Sequence, residues 1–538
     1  MTTQAETQTS PVSSVNQENF DTAARETDAG WERGGRIFRK RSAMASQKPF
    51  DYSAAHKWAP NADFNNLETF FPEHEERGVL PQEQLLALYE KYLGMWLEKM
   101  PTSKKLHDAG RKNMLWGIFG TYQKDWETPI LPFAKSCMGG HLTDVDDNEY
   151  IDLQFGDTPS MFGHGPENPA IRAAAESLMT TGIDPMMGTA DQAEAAAELE
   201  KHFKLPVWMH ALTASDSNRY LLSIARTVTG RPNIAIANFT YHGTIDETQK
   251  MMPEPGVISR YHEMPLYHSE VDHGTKVFVW NDLDSLEECL KDGSVAVVMM
   301  EPVMSNFGWA WPNDDWHAGV RELTQKYGTL LCYDETHTLG HAWNGSVGAL
   351  GLEYDMWSCG KAISSGIPGA VFGMTREIAD ALEGWQNEAG FFAGAGLGFL
   401  GNALTGNTMS TVALKVTMQE IMTPETFAPL LANCDRVLAG MTATLEKYAA
   451  PFRAEMMGNR LCYHFIPDQA RDPLAGLVQV GFGGLFEFSH AYLWYHGLLI
   501  MPFFNMFLIC PQHTDEDLDK FLSVFDDMIA IIMGQKEG

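Results

Sequence analysis

The stretch "LLCYDETHTLG", Leu330 to Gly340, places a run of apolar residues directly before two carboxylates and a histidine. Its first half has the composition of a buried strand, and Asp334, Glu335 and His337 follow where that strand should end. In an open sheet of parallel strands, ligands bind at the carboxyl ends of the strands. We therefore expect this charged segment to form part of a functional site.

Apolar runs alternate with helical stretches on both sides of this segment. The strand-like runs include "NIAIANF", "KVFVW", "VAVVMME" and "AVFGMT", and the helical stretches include "AEAAAELEKHF" and "WHAGVRELTQKYG". Such alternation is typical of a mainly parallel sheet that helices cover on both faces. The predicted fold class is therefore α/β.

Composition divides the chain into four parts. Residues 1–45 are poor in aliphatic side chains and are expected to form a disordered tail, which includes the basic run "RGGRIFRKR". Residues 46–170 form an N-terminal extension and part of a small domain, with a long amphipathic helix at 80–100 and a hairpin whose arms are "HLTDV" and "YIDLQF". Residues 171–411 form the large domain with the ligand site. Residues 412–538 complete a small α+β domain, with strands near "LCYHFIP" and "GLFEFS" and a closing helix at "TDEDLDKFLSVFDDMIAIIM".

The charge and the cysteine content restrict the partners. Acidic residues number 70 against 39 basic ones, and this net charge of −31 repels phosphate backbones and anionic lipid surfaces. The seven cysteines show no CxxC or zinc-ligand spacing, which fits a reducing cytoplasm, and no apolar segment is long enough for a membrane helix. We expect a cytoplasmic protein that binds no nucleic acid, no membrane and no metal.

A lysine follows Asp334 after 27 residues (361 − 334), within "WSCGKAISSGIPGAVFG". An acid at a strand end is by itself more often structural, because turns and helix caps use aspartate. Lys361 changes that interpretation, because it stands among small and apolar neighbours, where a lysine is rarely buried unless its charge or reactivity is used. Since a desolvated amine can attack an aldehyde, the pair indicates a Schiff-base site.

Pyridoxal phosphate requires a lysine for its aldehyde, an acid beside its pyridine nitrogen, an aromatic face and a phosphate cradle. Lys361 and Asp334 supply the first two. Tyr241 and His242 follow a predicted strand in "NFTYHGTID", where an aromatic ring can lie against a cofactor. A structural aromatic is the simpler interpretation of Tyr241 taken alone.

Clustered hydroxyl groups provide the candidate phosphate cradle. They lie in "TASDSNRYLLSIAR", at a predicted helix start, where unpaired backbone N–H groups and the helix dipole favour a phosphate. Ser215 and Ser217 are the predicted hydroxyl donors.

The order of these motifs resembles the class III aminotransferases of fold type I, the group that includes glutamate-1-semialdehyde aminomutase and ω-amino acid transaminases. The resemblance runs from about Gly139 into the C-terminal domain and rests on seven ordered matches. They are "LTDVDDNEYIDL…FGHGPENPAI", "TASDSNRYLLSIAR", "YHG", "MEPV", "YDETHT", "GKAISSGIPGAVFG" and "LTGNTMSTVAL".

The resemblance implies a fold type I pyridoxal-phosphate-dependent transferase with Lys361 and Asp334 as catalytic residues. It also implies a small-molecule amine donor, a 2-oxo acid acceptor and a homodimer or higher even-numbered homo-oligomer, in which Thr405 approaches the phosphate of the neighbouring subunit. The implied cofactor-binding residues are Ser215, Asp216, Ser217, Tyr241, His242, Glu301, Asp334, Thr336, His337, Lys361 and Thr405.

Five positions depart from the family pattern. Asn218 replaces the usual Glu of the phosphate turn, and Ala403 stands where many members supply a threonine to the neighbouring subunit's phosphate, with Thr405 as the substitute. Asp216 replaces a glycine in the phosphate turn, and its charge opposes a phosphate unless it points away or pairs with Arg219. Thr336 replaces a bulky aliphatic residue and could form a hydrogen bond. His337 replaces a Gln or Met beside the cofactor phenolic oxygen, and if its ring contacts the cofactor we expect it to titrate near neutrality. The alternative is that His337 caps a turn or bonds a backbone carbonyl.

The predicted function is the transfer of an amino group from an amine or amino acid, including β- or ω-amino acids, to a 2-oxo acid. The alternative is an aminomutase or epimerase, which uses the same residues. A dinucleotide-dependent oxidoreductase is disfavoured because the chain has no GxGxxG after its first strand. A non-catalytic protein is disfavoured because Lys361 and Asp334 are both present. The apolar run "LLIMPFFNMFLICP" is predicted as a core strand with its flank, with a substrate pocket as the alternative.

Overall fold

The computed structural model describes residues 74–120, 128–254, 257–260, 274–306, 308–396, 400–471, 473, 484–501 and 505–538. The predicted tail at 1–45, its basic run and the first part of the extension lie outside the described residues.

A seven-stranded sheet forms the centre of the molecule. Its strands, in spatial order, are β4 (Val207–Ala211), β12 (Ala370–Met374), β11 (Met356–Cys359), β10 (Leu330–Asp334), β9 (Val295–Met300), β5 (Asn233–Ala237) and β8 (Thr275–Phe278). Strand β12 runs antiparallel to both of its neighbours, and every other adjacent pair is parallel. All residues of β9 and β12 are buried, as expected of central strands covered on both faces. The prediction of a mainly parallel α/β sheet is confirmed.

Helices, several of which pack on the central sheet, account for much of the remaining described chain. They are α1 (Gln82–Leu97), α2 (Pro101–Gly110), α3 (Pro169–Thr180), α4 (Ala190–Phe203), α5 (Ala214–Thr229), α6 (Leu283–Leu290), α7 (Trp316–Tyr327), α8 (Gly345–Ala349), α9 (Arg376–Gly396), α10 (Thr408–Val416), α11 (Pro424–Lys447), α12 (Leu485–Tyr495) and α13 (Asp515–Ile532). None of these described helices is long and apolar enough to cross a lipid bilayer.

A second sheet contains strands from both the N-terminal and the C-terminal parts of the described chain. The predicted hairpin is formed by β2 (His141–Asp144) and β3 (Glu149–Asp152), with β1 (Ala134–Met138) on one side and β15 (Leu498–Leu499) on the other. The hairpin and a C-terminal segment therefore share one sheet. The predicted domain boundaries, at residues 170 and 411, remain predictions.

A third sheet and a short ribbon complete the strands. The third sheet contains β13 (Arg453–Met457), β14 (Arg460–His464) and β16 (Met506–Leu508), and the ribbon contains β6 (Lys250–Glu254) and β7 (Val257–Arg260). The described part of "LLIMPFFNMFLICP" supplies β15 and β16, both buried, as the core-strand interpretation predicts. Residues 502–504 of that run lie outside the described residues.

The strand predicted near "GLFEFS" is wrong, because this segment begins helix α12. Gly484 adopts a left-handed φ of +87°, and its N–H donates to the Glu487 carboxylate at 2.6 Å, which closes the first turn. Residues 485–494 are all buried, and the helix packs against α1. A helix that is buried on every side shows no helical period in its sequence, so it resembles a buried strand.

Candidate active site

Two loops and a helix start converge at the carboxyl end of the central sheet. A Cβ added at Gly360, directly after β11, would lie 2.9 Å from the Cβ of Ala214 at the start of α5. A Cβ added at Gly243, in the loop after β5, would lie 2.2 Å from the Oγ of Ser215. Because neither position has room for a side chain, both loops lie directly against the N-terminus of α5.

Asp334 ends strand β10 and is buried in a hydrogen-bond network. Its Oδ2 accepts from the Asn218 amide at 2.7 Å and from the His242 Nδ1 at 2.9 Å. Its Oδ1 accepts from the Thr336 N–H at 3.0 Å and the Thr336 hydroxyl at 2.6 Å. Burial alone would raise the pKa of Asp334, but the interactions with His242 and Thr336 outweigh it and lower the pKa. The carboxylate is therefore held as an anion.

The amine of Lys361 lies between an acid and an imidazole. Its Nζ is 2.5 Å from the Asp157 Oδ2 and 2.6 Å from the His337 Nε2. The Gly360 N–H donates to the Thr336 hydroxyl at 3.3 Å, and this hydroxyl in turn donates to Asp334. Lys361 and Asp334 therefore belong to one connected site.

His337 is buried against polar partners on both ring nitrogens. Burial, followed by the charge of Lys361, lowers the pKa of His337 to about 3. In this arrangement the ring does not titrate near neutrality, because a cation beside a buried ring disfavours a second positive charge. The titration expected for a ring in contact with the cofactor stays a prediction. The neutral ring accepts from Lys361 through Nε2, so we assign the hydrogen to Nδ1, which donates to the Ser305 Oγ at 2.9 Å. His337 therefore contacts side chains, whereas the alternative interpretation had it cap a turn or bond a backbone carbonyl.

Glu301 lies behind His337 rather than beside Lys361. The Ser305 hydroxyl donates to the Glu301 Oε2 at 2.6 Å, and the Thr240 hydroxyl donates to Oε1 at 3.2 Å. Burial raises the pKa of Glu301. Glu301 is connected to the lysine through Ser305 and His337, so its predicted cofactor contact would be indirect.

The N-terminus of α5 carries the predicted phosphate residues. Thr213 caps the helix, because its side chain accepts from the Asp216 N–H at 3.1 Å. Asp216 pairs with the Arg219 guanidinium at 2.8 Å, so the paired arrangement allowed by the sequence is the one found. The Ser215 Oγ accepts from the Thr244 N–H at 3.1 Å, which leaves its own O–H available as a donor.

Ser217 faces the sheet rather than the helix start. It is fully buried, and its hydroxyl donates to the Val371 carbonyl on β12 at 3.1 Å. It also lies 3.1 Å from the Ser358 hydroxyl on β11. The Ser217 side chain therefore hydrogen-bonds helix α5 to the central sheet. To bind a phosphate, Ser217 would have to break its bond to the Val371 carbonyl. Its role as a donor stays a prediction, and Ser215 is the better placed of the two serines.

His242 supports Asp334 from a fully enclosed position, because its side chain has no exposed surface. Its Nε2 lies 3.0 Å from the Thr240 hydroxyl, while its Nδ1 bonds Asp334. Both ring nitrogens are thus engaged within the protein. The geometry is that of a residue that positions Asp334, and the predicted direct contact of His242 with a cofactor stays a prediction.

The cofactor contacts predicted for Tyr241 and Thr405 stay predictions. Tyr241 is half-buried, and burial, followed by the charges of Asp157 and Asp334, raises the pKa of its phenol. The ring therefore lies close to both carboxylates. The Thr405 Oγ1 accepts from the Asn402 N–H at 2.9 Å, within its own turn.

Sequence reasoning missed Asp157, Asn218 and Arg460. Asp157 contacts the lysine amine, Asn218 bonds Asp334, and the buried Arg460 donates to the Thr158 hydroxyl. For Asp157, the available signal was "FGDT", a glycine beside an aspartate directly after a predicted strand, a combination that favours left-handed backbone.

The residues present fit pyridoxal phosphate. The four hydrogen bonds to Asp334 occupy the positions at which a carboxylate accepts. The Thr336 hydroxyl is the donor that can rotate away about a single side-chain bond, which would open an acceptor for a pyridine N–H. The lysine amine, the helix start with Ser215 and the ring of Tyr241 complete the set of groups that this cofactor needs.

Comparisons with known proteins agree with this chemistry. A family model described as "Aminotransferase class-III" matches residues 122–527. The chain is 27% identical over 427 residues to glutamate-1-semialdehyde 2,1-aminomutase of Symbiobacterium thermophilum, an alignment that covers 75% of this chain and 91% of that protein.

Solved structures give the same result. A glutamate-1-semialdehyde aminomutase from Pseudomonas aeruginosa PAO1 superposes with a TM-score of 0.78 and 30% identity, covering 85% of this chain and 100% of that chain. A lysine-to-alanine variant of that protein is known in complex with PMP. An omega-transaminase from Sphaerobacter thermophilus, 21% identical, shares the fold with a TM-score of 0.72 over 80% of this chain and 98% of that chain.

Proposed function

Because the chain belongs to the class III aminotransferase family, whose members use pyridoxal phosphate, we propose that Lys361 and Asp334 carry out amino-group transfer from an amine or amino acid to a 2-oxo acid. The observation that carries the proposal is the lysine amine held 2.5 Å from Asp157 and 2.6 Å from His337, in a site connected to the buried Asp334. β- and ω-amino acids are included among the donors.

Each residue has a definite part in the proposed reaction. Lys361 would carry the cofactor aldehyde, Asp334 would hold a proton on the pyridine nitrogen, and Ser215 with the first N–H groups of α5 would bind the phosphate. When bound, pyridoxal phosphate supplies an electron sink for the substrate carbon. The Lys361 amine, once released, moves the proton at the substrate α-carbon as a general base and acid.

A screen of amine donors tests the function. Donors are paired with pyruvate, 2-oxoglutarate or oxaloacetate, and the oxo product of the donor and the new amino acid are both measured. An aminotransferase forms the two in equal amounts, and the Lys361→Ala variant should form neither. Absence of acceptor-dependent product over a broad set of donors would contradict the proposal.

A second candidate is an aminomutase, because the two relatives above with 27% and 30% identity carry that name. An aminomutase returns the amino group to the same carbon skeleton, so no free oxo acid accumulates. A donor with ¹⁵N in its amino group separates the two reactions: the label moves to the acceptor in an aminotransferase and stays on the substrate skeleton in an aminomutase.

We further propose a cytoplasmic homodimer with an isologous contact. The resemblance of "LTGNTMSTVAL" to the family segment near the partner subunit supports the dimer, with Thr405 approaching the partner's phosphate site. The seven cysteines, scattered singly without CxxC spacing, support a reducing compartment.

A further inference from the structure

The amine of Lys361 has two hydrogen-bonding partners, and only one of them is charged. His337 is neutral, since burial and the lysine charge lower its pKa to about 3. Burial alone would raise the pKa of Asp157, but the effects of Lys361, His337 and Arg460 together outweigh it and hold that pKa well below its usual range. Asp157 is therefore an anion. Of the two partners, the charged Asp157 favours the ammonium form of Lys361 more strongly than the neutral His337 does.

We infer that Asp157 is a catalytic residue whose carboxylate pairs with the Lys361 amine when that amine is not attached to the cofactor, and that receives its ammonium form after proton transfer. The inference rests on the proposed function for the step in which Lys361 moves the substrate proton. No bond to Asp157 forms in that step: the neutral amine takes a proton from the substrate carbon, and the resulting ammonium pairs with the carboxylate.

A turn with left-handed backbone places the Asp157 carboxylate beside the Lys361 amine. Residues 155–158 all have left-handed φ values, between 47° and 92°, and three of these four residues are not glycine. Asp152 stabilises the entry to this turn, because its Oδ1 accepts from the Gln154 N–H at 2.9 Å and the Phe155 N–H at 3.0 Å. Such a conformation persists only where the surrounding structure maintains it.

Arg460 stabilises the exit of the same turn. This arginine is 2% exposed and donates from Nη2 to the Thr158 hydroxyl, and its positive charge favours the anionic form of Asp157. The Arg460 Nε has no hydrogen-bond partner among the described residues. The turn therefore keeps its carboxylate ionised between two cations, Lys361 and Arg460.

The other titratable groups around the amine do not duplicate Asp157. Asp334 is engaged by four hydrogen bonds, and Glu301 is reached through Ser305 and His337. The Tyr241 phenol lies near both aspartates with a raised pKa, so it is uncharged at neutral pH. Asp157 is the carboxylate in direct contact with the Lys361 amine among the described residues.

The test measures the protonation of Lys361 directly. The full-length protein, freed of cofactor, is trace-labelled with acetic anhydride from pH 6 to pH 10, and peptide mass spectrometry follows the Lys361 peptide. Only a neutral amine reacts. Because the ammonium form of Lys361 loses its anionic partner in Asp157→Asn, the Lys361 peptide of this variant should label about tenfold faster at neutral pH. In the holoenzyme, the acid limb of the kcat profile should move to lower pH in the same variant.

Asp191→Asn is the matched control. Asp191 lies 2.5 Å from the amine of Lys415, and the side chains of that pair are 25% and 19% exposed, against 27% and 23% for Asp157 and Lys361. This variant should leave Lys361 labelling and the kcat profile unchanged. Asn tolerates left-handed backbone, and Asp157→Gly, which accepts it without strain, provides the same comparison if the asparagine variant does not fold.

The outcomes separate this inference from the proposed function. An unchanged rate of Lys361 labelling at neutral pH in folded Asp157→Asn or Asp157→Gly overturns the role of Asp157, even if amino transfer is observed. Faster labelling in a variant of a protein that transfers no amino group supports the pairing and removes the proposed function instead.

Discussion

The imidazole of His337 and the amine of Lys361 lie within hydrogen-bonding distance, 2.6 Å from Nε2 to Nζ. The ring is neutral because burial and the adjacent amine lower the pKa of His337 to about 3. In this arrangement His337 is a fixed acceptor for the lysine, and its charge does not change near neutral pH.

His337→Gln should remain active. A glutamine can accept from Lys361 through its carbonyl oxygen, and the change removes no charge at working pH, so we expect kcat within about tenfold of wild type. The pH profile of kcat should retain its acid limb, which stopped-flow or steady-state assays can measure. Disappearance of that limb would show that the histidine itself titrates during turnover.

Lys361 should be the residue that carries the cofactor. Borohydride reduction followed by peptide mapping should find pyridoxal phosphate on the Lys361 peptide and none on the Lys415 peptide, whose lysine is in an ion pair with Asp191. Label on any other lysine would remove Lys361 from the proposed site.

Asp334→Asn should bind cofactor but lose activity by about two orders of magnitude or more, since a neutral amide cannot stabilise a charged pyridine nitrogen. The fold should tolerate the change, because the amide keeps the shape of the side chain and its carbonyl oxygen can accept from the Thr336 N–H and hydroxyl as the Asp334 Oδ1 does. Cofactor absorbance and turnover are measured on the same preparation. Near wild-type turnover would refute the assigned role.

Glu335→Gln should stabilise the protein at alkaline pH. Burial raises the pKa of Glu335 to about 8, whereas an unfolded glutamate titrates near about 4.3. Between these values the folded state holds a proton that the unfolded state has released, so the free energy of unfolding falls as pH rises from about 4 to about 8.

The glutamine variant has no titrating carboxyl at this position, so its free energy of unfolding should exceed that of wild type by on the order of 5 kcal/mol at pH 8, with little difference at pH 4. Denaturant unfolding at both pH values measures it, with the exposed Glu322→Gln as the control. Equal stability of Glu335→Gln and wild type at pH 8 would contradict a protonated Glu335.

The smallest active unit should be a dimer. Analytical ultracentrifugation at the enzyme concentration of the assay should show a dimer, and the monomer should have no activity, because the proposed phosphate site includes Thr405 from the neighbouring subunit. Activity that is independent of dilution and found in the monomer fraction would contradict this assembly.

Local sequence patterns predicted much of the fold. Strands β5, β8, β9, β10 and β12 and the closing helix were predicted because short apolar runs and a clear helical period are local signals. Helix α12 was missed because it is buried on all sides and shows no period. The site roles of Lys361 and Asp334 remain predictions for the experiments above.

The sequence by itself determined the family and the cofactor, because these depend on the order of short motifs around Asp334 and Lys361. Only the tertiary structure decided which charges meet at the amine. Asp157 is 204 residues from Lys361 in the chain and yet 2.5 Å from its Nζ. Hydrogen bonds act over about 3 Å, so they depend on how distant segments pack, and neither composition nor spacing records that.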